Sequence, residues 1–166
     1  MRVLIISFFV VLFDQITKLA VRFYFQYGKP HEIIGDFIRL TYIENPGMAF
    51  GIQFGGQQFF TIFALLATGV IFVYIVRARE EKAILRIALA LILGGAVGNL
   101  IDRFLYGKVV DFIDVGFGTT RWPIFNMADS AVTIGMIILI GLVLFDRSSQ
   151  KAEEDEELPA GKKAFP

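Results

Sequence analysis

The sequence predicts an all-α membrane bundle of four transmembrane helices, with a small β-rich subdomain formed by its outer loops. The first reason is composition: 55% of the 166 residues are hydrophobic, 19% are charged and the mean hydropathy is +0.63, values outside the range of ordinary soluble domains. The second is four apolar stretches of the ~20 residues that cross a bilayer core, at residues 3–25, 57–76, 83–103 and 128–146. We expect one membrane-embedded domain over residues 1–147 and a disordered cytoplasmic tail over residues 148–166.

The first span is predicted to be a retained helix and not a cleaved signal peptide. Its apolar stretch is longer than a signal-peptide core, and no small-x-small cleavage site follows it. It contains Asp14 and Lys18 within "FDQITKL". Four residues apart, the two side chains share a helix face, so Lys18 is expected either to pair with Asp14 or to extend toward acidic groups at the outer boundary. Of the two residues, Lys18 is expected to lie nearer to any site there. At about 1.5 Å per residue, Asp14 should lie roughly 15 Å below the outer end of the helix, too deep to be half of a carboxylate pair at that boundary.

The outer loops, residues 26–56 and 106–127, carry strand and turn signals. "DFIRLTYIENPGMAFGIQF" combines β-branched and aromatic residues with a turn at Asn45-Pro46-Gly47, which predicts a short hairpin or small sheet. "GFGTTRWP" predicts a turn, with Trp122 at interfacial depth. Nine Lys and Arg residues flank the opposite side and four lie in these loops. This asymmetry predicts that both termini are cytoplasmic.

Several classes of function are excluded by what the chain lacks. Net charge is zero and there is no basic stripe, so nucleic acid is not an expected partner. The chain has no Cys and a single His, His31. Cysteine nucleophiles, Ser-His triads and the common zinc motifs are therefore excluded. No metal and no cofactor is expected, and any catalysis must use carboxylates, amides, hydroxyls or Lys.

The third span contains polar residues beside small ones, in "GGAVGNLIDR". Gly94 and Gly98, four residues apart, are typical of a packing face for a neighbouring helix. Asp102 and Arg103 lie near the outer end of the span. They are interpreted as an interfacial ion pair or a helix-end cap, in preference to catalytic groups.

The fourth span opens with "FNMADS", in which Asn126 is a candidate N-cap and Asp129 falls in the first helical turn. Alone, this is ordinary capping. Asp111, in "VVDFID", is a second carboxylate that returns to the same membrane face. Two such carboxylates are able to share a proton and activate water, as in an aspartic-protease dyad. A nucleophile and base formed by Ser130 and Lys18 is the competing interpretation.

These residues resemble those of bacterial lipoprotein signal peptidase, or signal peptidase II. "DQITK", "ENPGMAFG", "GGAVGNLIDR", "VVDFID" and "FNMADS" occur in the family's order, from Asp14 to Ser130. The resemblance implies an aspartic endopeptidase of the bacterial inner membrane, with its site near the outer face. It would cut diacylglyceryl-modified prolipoproteins just before the lipidated Cys. One departure is Met48, where the family has Ala.

The resemblance also implies roles for individual residues. Asp111 and Asp129 would be the catalytic pair, whereas Asp114 is not assigned to catalysis. The supporting residues would be Asn45, Gly47, Asn99, Arg103, Asn126, Lys18, Asp14 and Asp102. Membrane lipid is an expected partner and the enzyme is expected to be a monomer. The alternative class is a small transporter or assembly subunit with a buried Asp/Lys/Asn path.

Overall fold

The computed structural model describes residues 2–47 and 56–157. These residues form four helices and four strands, which we number in chain order. The elements are α1 (Leu4–Tyr24), β1 (Pro30–Ile34), β2 (Ile38–Asn45), α2 (Gly56–Arg77), α3 (Ala83–Tyr106), β3 (Val109–Phe117), β4 (Thr120–Arg121) and α4 (Met127–Glu157). The mostly helical architecture with a small antiparallel sheet is therefore confirmed.

Three helical segments among the described residues are long and apolar enough to cross a membrane. They are Leu4–Tyr24, Ala83–Tyr106 and Met127–Phe145, while Thr61–Arg77 in α2 is a shorter apolar segment. Many large apolar side chains on these helices face outward, for example Phe8 and Phe63 at 61% and 65% exposure. Such outward faces suit lipid, because apolar side chains in contact with hydrocarbon avoid the cost of exposure to water. The fourth span, in α2, stays a prediction.

Helix α3 is the centre of the helical layer and packs against α1, α2 and α4. Its glycines allow the close approach that the sequence predicted. A Cβ added at Gly94 would lie 2.7 Å from the Val10 side chain of α1, and one at Gly98 would lie 2.7 Å from the Asp14 carboxylate. Glycine is thus required where α1 brings its buried charge against α3.

The sheet joins the two segments predicted to be outer loops, in the antiparallel order β1-β2-β3-β4. A hairpin in the first outer segment is confirmed as β1 and β2, whose turn lies at Gly35 to Phe37. The expected turn at Asn45 to Gly47 instead ends β2, because Pro46 has no N–H to continue a ladder and Gly47 has φ 107°. Strand β2 pairs with β3 of the second segment over the register Ile38↔Val115 to Asn45↔Val109.

The sheet packs on the helices through a small apolar cluster. Val21 of α1 contacts Val110 and Phe112 of β3, and all three are at most 5% exposed. Gly107 ends α3 in the left-handed conformation, with φ 71°, and its N–H donates to the Arg103 carbonyl at 3.1 Å. This turn sends β3 back across the end of α3.

The C-terminal segment is helical for longer than expected. The change to a disordered tail was expected at residue 147, but α4 continues as a helix to Glu157. The segment "KAEEDEE" consists of Lys, Ala, Glu and Asp, mostly strong helix formers. Residues 158–166 and Met48 lie outside the described residues, so the expectations about them stay open.

Candidate active site

The first turn of α4 is held by a reciprocal cap. The Asp129 backbone N–H donates to Asn126 Oδ1 at 2.9 Å, and the Asn126 backbone N–H donates to Asp129 Oδ2 at 3.1 Å. The predicted N-cap is therefore present, in the form of a capping box. The cap places the Asp129 carboxylate at the positive end of the helix, where a negative charge is favoured.

The Asn126 side chain also links Asp129 to Asp111. Its Oδ1 is committed to the helix cap, so its NH₂ group faces β3 and donates to Asp111 Oδ1 at 2.7 Å. The Asn45 NH₂ donates to Asp111 Oδ2 at 3.1 Å. Asn126 therefore contacts both carboxylates of the expected dyad, Asp111 through its side-chain NH₂ and Asp129 through its backbone N–H. Asp111 is 3% exposed and Asn126 is fully buried.

The two carboxyl groups have different surroundings. Burial, and then the neighbouring charge of Asp129, raise the pKa of Asp111 from 3.8 to about 7, against the lowering effect of the Asn45 and Asn126 hydrogen bonds. Asp129 is half-buried and accepts N–H donors on both oxygens, from Asn99 Nδ2 at 2.7 Å and from the Asn126 backbone. The environment thus favours the protonated form of Asp111, while both oxygens of Asp129 accept hydrogen bonds.

Gly47 and Arg103 border the same site. The Gly47 N–H donates to Asn45 Oδ1 at 3.0 Å, which turns the Asn45 NH₂ toward Asp111. Arg103 is half-buried and faces the charges of Asp129, Asp111 and Asp102. Its Nε has no hydrogen-bond partner among the described residues.

Next to the two carboxylates, α1 and α3 share a buried polar cluster. The Lys18 ammonium lies 2.8 Å from Asp14 Oδ2 and 3.3 Å from Asp102 Oδ2, and it donates to Asn99 Oδ1 at 2.9 Å. The predicted pairing of Asp14 with Lys18 is confirmed. The cluster is continuous with the site, because Asn99 contacts both Lys18 and Asp129.

Asp102 forms an ion pair, as expected, but with Lys18 of α1, and its depth relative to the membrane interface stays a prediction. Asp102 is fully buried, and its Oδ2 accepts the Val110 backbone N–H at 3.0 Å. The reason is the turn at Gly107, which folds β3 over the end of α3 and covers a carboxylate that a straight helix would expose. Asp102 therefore fixes the start of the strand that carries Asp111.

The estimate that Asp14 lies far below the site is wrong. Asp14 Oδ1 accepts the backbone N–H of Ala128 at 2.9 Å, one residue before Asp129. Helix α4 begins beside the middle of α1, so the outer end of α1 is a poor reference for the depth of the site. Asp14 does not hydrogen-bond either expected catalytic carboxylate, but it anchors the helix turn that carries one of them.

Sequence reasoning did not assign Gln15. Its Nε2 donates to Asp102 Oδ1 at 3.2 Å and to the Gly98 carbonyl at 3.1 Å, and lies 3.2 Å from Asp14 Oδ2. The signal was available, since Gln15 is a polar residue inside an apolar span, next to Asp14. Its contacts tie α1 to α3.

Other candidate groups point away from the two carboxylates. Asp114 accepts a hydrogen bond from the Thr41 hydroxyl at 2.9 Å and pairs with Arg121. The Ser130 hydroxyl donates to the Asn126 carbonyl at 3.0 Å, while Lys18 is engaged in the cluster below. This geometry does not favour a Ser130/Lys18 nucleophile and base.

No cluster of three or more His, Cys, Asp or Glu side chains within residues 2–47 and 56–157 is arranged to hold a metal ion.

Comparison with known proteins gives consistent matches along most of the chain. A family model described as Signal peptidase (SPase) II matches residues 6–145. The lipoprotein signal peptidase of Burkholderia thailandensis is 45% identical over 138 residues, which cover 81% of this chain and 82% of the relative. That of Syntrophus aciditrophicus is 42% identical over 142 residues, covering 82% and 88%.

Two solved structures, both described as bacterial membrane enzymes, share the fold. One, at 2.3 Å resolution, superposes with a TM-score of 0.77 at 38% identity and covers 89% of this chain and 90% of its own. The other, at 1.9 Å, has a TM-score of 0.71 at 38% identity, with 86% and 92% covered. The fold is therefore similar to that of known membrane enzymes over nearly its whole length.

Proposed function

The chain belongs to the signal peptidase II family, and from that premise we propose that Asp111 and Asp129 hydrolyse the peptide bond that joins a signal peptide to a prolipoprotein. The protein is a bacterial membrane peptidase that removes signal peptides from prolipoproteins. The observation that carries the assignment of the two residues is the Asn126 side chain, which caps the helix of Asp129 and donates to Asp111 at 2.7 Å.

We assign different roles to the two carboxyl groups. Asp129, at the positive end of α4 and with N–H donors on both oxygens, is the ionised base. Asp111 holds the proton, because burial and the Asp129 charge raise its pKa to about 7. A carboxyl pair with such unequal surroundings provides one acid and one base at neutral pH.

The proposed reaction has two steps. A water oxygen attacks the scissile carbonyl carbon, a water proton passes to Asp129, and the Asp111 proton passes to the carbonyl oxygen, which gives a neutral gem-diol. The C–N bond then breaks as the nitrogen takes the proton from Asp129, and one gem-diol hydroxyl returns a proton to Asp111. The products are a carboxylic acid and an amine, and both aspartates recover their starting states.

Support for a lipidated substrate comes from the position of the site. Its carboxylates lie where the sheet meets apolar helices that are suited to lipid. We propose that the diacylglyceryl chains lie among the helices while the peptide lies beneath the sheet, and that cleavage occurs just before the lipidated Cys. We further propose four spans including α2, cytoplasmic termini, a site near the outer face and a monomeric enzyme.

The experiment is a gel-shift cleavage assay of the purified enzyme with lipidated and unlipidated precursor in parallel. We expect wild-type enzyme to cut only the lipidated form, before its Cys, and Asp129→Asn to cut neither while it remains folded. Equal cleavage of both precursors would contradict the lipid requirement. Cleavage by a folded Asp129→Asn variant would contradict the assignment of the base.

The transporter alternative is not favoured. In the described structure the buried Asp, Lys and Asn side chains converge on the first turn of α4, where their hydrogen bonds organise two carboxylates. A proton path needs polar groups at successive depths. The family assignment and this convergence both favour hydrolysis.

A further inference from the structure

We propose that Lys18 is a positioning residue for peptide-bond cleavage: it fixes the orientation of the Asn99 side-chain amide, so that the Asn99 NH₂ donates to Asp129. This inference rests on the proposed function, because it takes Asp129 as the base. It gives the charged residue of the first span a role beyond pairing with Asp14.

The Lys18 ammonium has as many oxygen partners as it has N–H donors. An ammonium group has three N–H donors and no acceptor. Lys18 is 1% exposed and has three oxygen partners within 3.3 Å, on Asp14, Asp102 and Asn99. Each N–H therefore has one partner, and the third is the Asn99 oxygen.

The contacts of the Asn99 amide fix its direction. With its oxygen 2.9 Å from the Lys18 ammonium, its nitrogen faces Asp129 Oδ1 at 2.7 Å. A rotated amide would place NH₂ against the ammonium and oxygen against the carboxylate. Both contacts would then be repulsive and buried polar groups would lose their partners, which is the costly case.

Asn126 alone is a weaker constraint on Asn99. Its Nδ2 lies 3.0 Å from Asn99 Oδ1, but also 2.7 Å from Asp111 Oδ1 and 3.2 Å from the Val110 carbonyl. Three acceptors compete for two N–H bonds. Lys18 contributes a full, charged donor, and charged donors form the stronger hydrogen bonds.

The Lys18 charge also acts on the Asp111 carboxyl group. The groups that face Asp111 are Asp129 from α4, Lys18 from α1, and Asn45 and Asn126 as neutral donors, and Arg103 of α3 faces both aspartates. The Lys18 charge lowers the pKa of Asp111, although less than burial and Asp129 raise it. Loss of Lys18 should therefore move the pH dependence of the reaction as well as its rate.

The test uses a variant pair that preserves the net charge of the cluster. Asp14, Lys18 and Asp102 together carry −1, and so does Asp102 alone in the double variant Asp14→Asn/Lys18→Met. The matched control is Gln15→Met, because Gln15 contacts the same two carboxylates but makes no hydrogen bond to Asn99. We would measure kcat and KM for a lipidated precursor across pH, together with thermal unfolding of each protein.

We expect kcat of the double variant to fall by about 10- to 100-fold, the loss expected for one hydrogen bond to a charged group. KM should change by less than about threefold. The alkaline limb of the kcat profile should move to higher pH, because Lys18 is the charge that lowers the pKa of Asp111. Gln15→Met should lose thermal stability but keep the wild-type profile. If the methionine double variant does not fold, Asp14→Asn/Lys18→Gln replaces it, with the same direction of change expected.

Additivity provides a second readout. Asn99→Ala should lower kcat in the wild-type background and have little further effect in the double variant, because both changes remove the same donor from Asp129. A folded double variant with the wild-type kcat and pH profile, or additive losses, would overturn the inference. The proposed function fails separately, when Asp129→Asn retains cleavage.

Discussion

Replacement of Asp111 by Asn should abolish cleavage and stabilise the protein at alkaline pH. The carboxyl group matters to activity because the proposed reaction needs the proton that Asp111 carries, and an Asn side chain cannot supply it. It matters to stability because the group is 3% exposed and its pKa is raised from 3.8 to about 7. A pKa raised by about three corresponds to a cost of about 4 kcal/mol for ionising Asp111 in the folded protein.

The raised pKa of Asp111 determines how the stability of the protein changes with pH. A carboxyl group whose pKa is higher in the folded protein is most stabilising below its unfolded pKa, and that stability is lost as pH rises from about 4 to about 7. An amide does not titrate. Its NH₂ must, however, face a donor from Asn45 or Asn126, which costs about 1 kcal/mol. Relative to wild type, Asp111→Asn should therefore gain about 3 kcal/mol between about pH 5 and pH 8.

Asp114→Asn is the matched control. It changes a carboxylate on the same strand, 4% exposed, whose partners are Thr41 and Arg121. This variant should keep cleavage and lose about 1–3 kcal/mol of stability, because it removes the partner of a buried charged group.

The assay is cleavage of lipidated precursor together with thermal unfolding of both variants at the two pH values. Cleavage by Asp111→Asn would refute its assignment as the acid. A stability difference that does not grow with pH would refute the raised pKa.

Three further outcomes are expected. Wild-type kcat should fall above about pH 7, as the Asp111 proton is lost, and a plateau to about pH 9 would contradict this role. Ser130→Ala should keep at least about a third of wild-type kcat, because its hydroxyl only bonds the Asn126 carbonyl at 3.0 Å; a folded but inactive variant would favour a serine nucleophile. Gly95→Ala should lower the unfolding temperature and cost about 1–3 kcal/mol of folding stability, because the added Cβ would overlap the backbone oxygen of Ala128 in α4. Gly141→Ala should be neutral or slightly stabilising, because nothing lies within 4 Å of the added Cβ. Equal unfolding temperatures for the two glycine variants would contradict the close packing of α3 on α4.

Local patterns predicted what depends on neighbours along the chain. The cap at Asn126 follows from "FNMADS", and the Asp14–Lys18 pair follows from four-residue spacing, because both contacts form within one helical turn. The small-residue face at Gly94 and Gly98 was likewise readable from its period. Apolar length and composition also predicted the helical segments suited to a membrane.

Local sequence patterns did not predict the depth of the buried carboxylates or the contacts between elements distant in the chain. Asp102 lies near the end of its span, which suggests an ion pair or a helix-end cap, but the left-handed turn at Gly107 brings β3 across it and buries it. Asp14 was placed below the site because its depth was counted along α1 alone, without the position at which α4 begins. The hairpin was predicted in one loop, whereas β2 also pairs with a strand some seventy residues later.

The sequence by itself determined the membrane character, the family and the two carboxylates proposed for catalysis, because hydropathy and ordered motifs are properties of the chain. Only the tertiary structure decided how Lys18 reaches Asp129, through an amide on α3 held at 2.9 Å and 2.7 Å. The direction of an amide depends on which donors and acceptors surround it, and those groups come from α1, α3, β3 and α4. "FDQITKL" therefore contributes a pair that spacing predicts and a set of contacts that only the packed helices create.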